Sequence, residues 1–100
     1  MNSIDIVYQK AVDEEAEKIL KLTITDFIKI GEYGTIEKII NGKKTAIGWW
    51  HYKFNNNLHH VFFQTSRRFL LIFHRIYLSG VKLENDKLLT LTNEELDAYS

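Results

Sequence analysis

The dipeptide Asn41-Gly42 constrains the fold of this chain more tightly than any other feature. Both residues accept the positive φ that a type I′ turn demands, and such a turn joins two antiparallel strands without splaying them. A two-residue loop also fixes register, so Ile40 faces Lys43 and Ile36 faces Ile47. Alternation then sorts the ribbon into two sides. One carries Ile36, Ile47 and Trp49, the expected core face; the other carries Ile39, Ala46, Trp50 and Tyr52. Consecutive Trp49 and Trp50 must point to opposite sides. One indole therefore belongs to the core, and the other needs a second covering layer or a partner.

The flanking segments supply the remaining elements. Ile4, Tyr8, Val12, Ala16, Ile19 and Leu20 fall on one helical stripe, which predicts a helix over about Ile4 to Leu22. The alternative is a short strand Ile4 to Tyr8 followed by a helix that starts near Asp13. Glu14 with Lys18 and Glu17 with Lys21 are i,i+4 pairs in the favourable orientation. Leu22 to Ile30 is rich in β-branched residues and reads as a strand, as does Leu58 to Gln64. Thr65-Ser66 reads as a helix N-cap and Gly80 as a C-cap, which makes Arg67 to Ser79 a long apolar helix with Phe69, Ile72, Phe73 and Ile76 as its core stripe. Asn85-Asp86 reads as a short turn. Thr92 and Glu95 form a capping box for a terminal helix, roughly Asn93 to Tyr99.

The expected architecture is α+β: an N-terminal helix, a three- to four-stranded antiparallel meander, a long apolar helix and a short C-terminal helix, all in a single domain spanning residues 1–100. The composition agrees, at 45% hydrophobic and 26% charged residues. Without cysteine there is no disulfide framework and no thiolate nucleophile. No apolar run approaches the length of a membrane span, and no basic-plus-apolar leader is read at the N-terminus, so the expected location is the cytoplasm.

Charge is unevenly distributed along the chain. No Asp or Glu occurs between Glu37 and Glu84, a stretch that holds eight of the thirteen Lys and Arg, all four His and both Trp. Residues 1–34 carry four Lys against seven acids, and residues 83–100 carry Lys87 against five. A basic, aromatic middle therefore lies between acidic ends. Either that middle meets an anionic partner, or the ends fold back and neutralise it.

Three groups of residues are candidates for chemistry. Ser66, Arg67 and Arg68, read at a helix start, would offer free N–H groups and guanidinium forks to a phosphate, with Lys43, Lys44 and Lys53 as further cations. The plain alternative is that Ser66 is an ordinary cap and the arginines meet carboxylates from the acidic ends. His51, His59 and His60 are weak metal candidates, because adjacent His59 and His60 point to opposite faces of a strand and no HExxH or CxxC spacing accompanies them. Trp49, Trp50 and Tyr52, with Leu71, Arg75 and Leu78 of the overly apolar segment, are candidates for an intermolecular contact.

The sequence contains no P-loop, no G-x-S-x-G motif and no Gly-rich dinucleotide motif, and its centre lacks the acid that would orient a catalytic His. A non-enzymatic interaction module is therefore expected, without cofactor, engaging a protein partner or a second copy of itself. The alternatives are a protein that binds a nucleic acid or nucleotide through phosphate, and a His- or metal-dependent enzyme.

Overall fold

The computed structural model describes residues 3–69 and 72–100. Helix α1 (Ser3–Leu20) leads through a single-turn helix α2 (Ile24–Ile28) into five strands, β1 (Tyr33–Ile40), β2 (Lys43–Asn55), β3 (Leu58–Phe69), β4 (Phe73–Glu84) and β5 (Lys87–Thr90), and a short helix α3 (Asn93–Asp97) follows. The strands form one antiparallel sheet in chain order. No helix among the described residues is long and apolar enough to cross a membrane.

The hairpin at Asn41-Gly42 forms in the expected register, with Ile40 opposite Lys43 and Ile36 opposite Ile47. Asn41 and Gly42 take φ of 51° and 77°, the values that residues at this turn must reach. Asn85 and Asp86 repeat the device between β4 and β5 with φ of 51° and 65°. The α1 stripe also packs as expected: Tyr8, Val12 and Ala16 are buried, and Ile4, Ile19 and Leu20 pack against the core. On the polar side of α1, Glu14 meets Lys38 of β1 at 2.9 Å. The Thr92–Glu95 capping box closes in both directions.

Two expected elements have different conformations. No long apolar helix spans Arg67 to Ser79; that stretch is the end of β3 and most of β4, and the sheet has five strands rather than three or four. Ser66 lies within β3 opposite Ile76 and caps no helix. Gly80 lies within β4 opposite Phe62. A run of nearly continuous apolar residues carries no periodicity that separates a helix from a strand. What decides here is pairing: β3 and β4 match from Leu58–Glu84 to Phe69–Phe73, in a segment rich in aromatic and β-branched residues that suit a sheet. Part of this expected helix, including Leu71, lies outside the described residues.

The second difference is Leu22 to Ile30, which is no strand. Thr23 accepts a hydrogen bond from the Asp26 N–H and caps α2, and Phe27 is fully buried. The cap and that one burial outweigh a weak β propensity.

The core lies between α1 and one face of the sheet. Ile47, Val61, Phe63, Tyr77, Val81 and Leu83 supply the sheet side, and α1 packs mainly on β4 and β3. Trp49 belongs to this side, its indole lying across Gly34 so closely that a Cβ there would sit 2.5 Å from the ring. Gly80 allows another close approach, since a Cβ would meet the Val61 carbonyl at 2.5 Å and Leu91 at 2.6 Å.

Candidate functional site

The two faces of the sheet carry different chemistry. On the helix side, Asp5 of α1 is buried and accepts hydrogen bonds from the Tyr77 hydroxyl, from Arg67 at 3.2 Å and from Arg75 at 2.7 Å. Tyr77 stacks on Tyr8, with ring centroids 5.3 Å apart, and Arg67 also reaches the Tyr77 hydroxyl. The Tyr77 hydrogen bond, followed by that of Arg67 and by the charges of Arg75 and Arg67, holds the Asp5 carboxyl below its ordinary range against the opposing effect of burial. This cluster fastens the N-terminal turn of α1 to β3 and β4.

Farther along the same face, His51 Nδ1 lies 2.8 Å from the Ile30 carbonyl oxygen, and His51 Nε2 lies 2.9 Å from His59 Nδ1. A carbonyl only accepts, so Nδ1 of His51 carries the proton and its Nε2 accepts. His59 must then donate from Nδ1. Burial lowers the pKa of both rings; the Ile30 carbonyl opposes this at His51, and the His51 ring adds to it at His59.

The opposite face is where aromatic side chains gather. Trp50 stacks on Phe62 with ring centroids 5.2 Å apart, and Tyr99, just beyond α3, stacks on Phe62 at 4.0 Å and on Tyr52 at 5.5 Å. His60 Nε2 faces Glu95 at 3.9 Å, and its Nδ1 lies 2.7 Å from the Tyr99 hydroxyl oxygen. Glu95 also binds Lys82 at 2.9 Å. Helix α3 and its tail thus cover one end of this face. The other end stays open, with a shallow depression of about 320 Å³ lined by Ala46, Gln64, Ser66, His74 and Ile76. At the covered end, Tyr52 remains 44% exposed and Phe54, against His60 at a register break in β2, 56% exposed.

The proposed cations do not converge. Arg67 faces α1 and is held by Asp5, whereas Ser66 and Arg68 face the aromatic side. Lys43 and Lys44 flank the β1–β2 turn, and Lys53 lies nine residues along β2 from Lys44, roughly 30 Å at strand rise. Lys44 approaches Glu37 at 3.8 Å, and Lys38 is paired with both Glu14 and Glu15. The acidic ends therefore neutralise much of the basic middle, and the helix start that was to have cradled a phosphate is absent. Lys43, Lys53 and Arg68 have no carboxylate within ion-pair distance among the described residues.

The histidines divide as alternation requires: His51 and His59 meet on one face, and His60 lies on the other. No group of three metal-ligating side chains occurs among the described residues. Of the interaction candidates, Trp50, Tyr52 and Leu78 lie on the aromatic face, Trp49 and Arg75 on the helix side, and Leu71 outside the described residues. Asp5 and Tyr99 escaped sequence reasoning because their partners lie 72 and 39 residues away, respectively, and no local pattern encodes such contacts.

The chain matches no family model, no curated protein and no solved structure. Any functional reading therefore rests on the two faces of the sheet themselves.

Proposed function

We propose that the chain is a non-enzymatic interaction module that holds a partner protein on the aromatic face of its sheet. The observation that carries this reading is the Trp50–Phe62–Tyr99–Tyr52 stack on the side away from α1, with Tyr52 and Phe54 left open at its rim. Aromatic side chains offer large contact area at low entropic cost, and exposed ones gathered on one face are typical of contact surfaces. The charge on this face selects the partner. Arg68 and His74 border the open end, Lys44 there is offset by Glu37 at 3.8 Å, and β2 and β3 contain no carboxylate. A segment that presents apolar side chains flanked by Asp or Glu complements such a surface.

A displayed-peptide library selected on the protein tests this, with counter-selection on a Tyr52→Ser/Phe54→Ser variant. Both side chains are partly exposed but touch Tyr99, Phe62 and His60, so the variant should keep its far-UV circular dichroism with a modestly lower urea midpoint. Enriched peptides should pair aromatic or aliphatic residues with acids and lose at least about tenfold in affinity for the variant. Peptides that bind both proteins equally, or no enrichment, refute the reading. An oligothymidylate bound with an affinity that collapses between about 50 and 200 mM salt would favour phosphate recognition instead.

A further inference from the structure

We infer that β1 pairs antiparallel with β1 of a second copy, so that two five-stranded sheets join edge to edge. The inference goes beyond the aromatic face and depends on a different part of the molecule.

The two edges of the sheet differ. Strand β5 has four residues, and the chain turns from it into Leu91, whose N–H bonds the Gly80 carbonyl, and then into α3. Strand β1 has eight residues, no bulge and no proline. In the two-residue hairpin the Ile40–Lys43 pair exchanges backbone hydrogen bonds, so even-numbered residues of β1 bond to β2. The His51 N–H bonded to the Glu32 carbonyl at 2.8 Å continues that parity. The N–H and C=O groups of Tyr33, Thr35, Glu37 and Ile39 therefore point away from the sheet, and none has a partner among the described residues. Such a row is a template for another strand, and the usual protections of bulge, proline and short length are missing here. Lys38, the one lysine of β1, points inward, where Glu14 and Glu15 neutralise its charge, so it does not repel a second strand.

The side chains choose both the partner and the register. Opposed residues of joined antiparallel strands share a face, so two copies related by a two-fold axis pair residues of equal parity. Centring the axis on Glu37 would set two carboxylates against each other. Centring it on Ile36 sets Thr35 against Glu37 and Tyr33 against Ile39. Tyr33 and Ile39 are 73% and 65% exposed, and this register covers both with an aromatic–β-branched pair. On the helix side, Ile36 of each copy meets its equivalent beside an apolar cleft of about 210 Å³ lined by Ile19, Ile30, Trp49 and Phe63. Helix α1 packs mainly over β4 and β3, which leaves room at this edge. A second copy of this chain is the one strand whose sequence is certain to match β1 in this way.

Sedimentation equilibrium of the full chain at micromolar concentration should give twice the 11.8 kDa chain mass. Thr35→Pro removes an outward N–H and no bond to β2, and proline is tolerated at such an edge position. Ile39→Lys places a charge in the apolar pair. Each variant should be monomeric with an unchanged circular dichroism spectrum, and either suffices if the other fails to fold. The chain contains no cysteine, so register is read cleanly: Tyr33→Cys mixed with Ile39→Cys should cross-link faster than either variant alone. A wild-type monomer, a dimer that survives both edge variants, or equal cross-linking in all three samples overturns the proposal. Failure of the peptide selection above leaves each of these outcomes unchanged.

Discussion

Lowering the pH from 7.5 to 5.5 should weaken this fold through the buried His51–His59 pair. His51 gives its Nδ1 proton to Ile30 and uses its Nε2 lone pair to accept from His59. A proton on His51 Nε2 would set it donor against donor with the His59 Nδ1–H, and a proton on each ring would put two cations in contact. Burial accordingly lowers the pKa of both rings in the folded state. The sign follows from linkage. Below the ordinary pKa of about 6.5 the unfolded chain binds protons that the folded chain refuses, so stability is full above that value and falls with falling pH. At pH 5.5, each ring that stays neutral costs at most about 1.4 kcal/mol, hence up to about 3 kcal/mol for the pair. Domains of this size hold only about 5–15 kcal/mol in total, and at an m value of about 1–3 kcal/mol/M the urea midpoint should drop by roughly 1–3 M. Both pH values lie above the range in which carboxylates titrate, so Asp5 and the ion-paired glutamates contribute little, whereas His60, whose pKa burial also lowers, adds a share that His51→Gln leaves in place. In His51→Gln the amide can still donate to Ile30 and accept from His59, and the pH-dependent loss should shrink by up to about 1.4 kcal/mol. A wild-type midpoint that does not move between the two pH values would refute the argument, as would an undiminished slope in the variant.

Gly80→Ala opposes two effects. Removing a mid-strand glycine favours folding by about 0.5–1 kcal/mol, but the new Cβ would meet the Val61 carbonyl and Phe62 Cα at 2.5 and 2.9 Å, and overpacking against backbone costs about 1–3 kcal/mol. A net loss of melting temperature is expected by calorimetry, and a rise would contradict the close approach. Asp5→Asn leaves Arg67 and Arg75 facing a neutral amide. Because the Asp5 carboxyl is held low by Tyr77 and the two arginines, its contribution is present above the ordinary carboxylate pKa and is lost as pH falls below about 4. The variant should have a lower urea midpoint at neutral pH and a shallower further decline in acid, measured by urea titration at both.

What the sequence encodes locally could be read from it. Asn41-Gly42 fixed both the turn and the pairing of Ile36 with Ile47, because positive φ and loop length are local demands. Thr92 and Glu95 marked a helix start for the same reason. The α1 stripe was legible because one side of that helix is solvated and contrast survives. Contrast fails in Arg67 to Ser79, where apolar residues fall on both faces of a hairpin and Thr65-Ser66 imitates a cap. Alternation showed that Trp49 and Trp50 take opposite faces, but not the cover over Trp50 and Phe62, since it is supplied by Tyr99 from beyond α3. The charge pattern left open whether the acidic ends would neutralise the middle, and did not indicate that Asp5 would take Arg67 and Arg75 together.

The packing of α1 on β4 has a consequence for the order of synthesis. Every strand pairs with its neighbour in the chain, so the sheet can grow as it emerges. Helix α1 cannot join it then, because Asp5 waits for Tyr77, 72 residues later. At about 5–20 residues per second the ribosome needs roughly 4–14 s to cover that distance. For that interval the stripe of Tyr8, Val12 and Ala16 lacks β4, its main partner, and α1 stays only partly covered while β1 to β3 assemble.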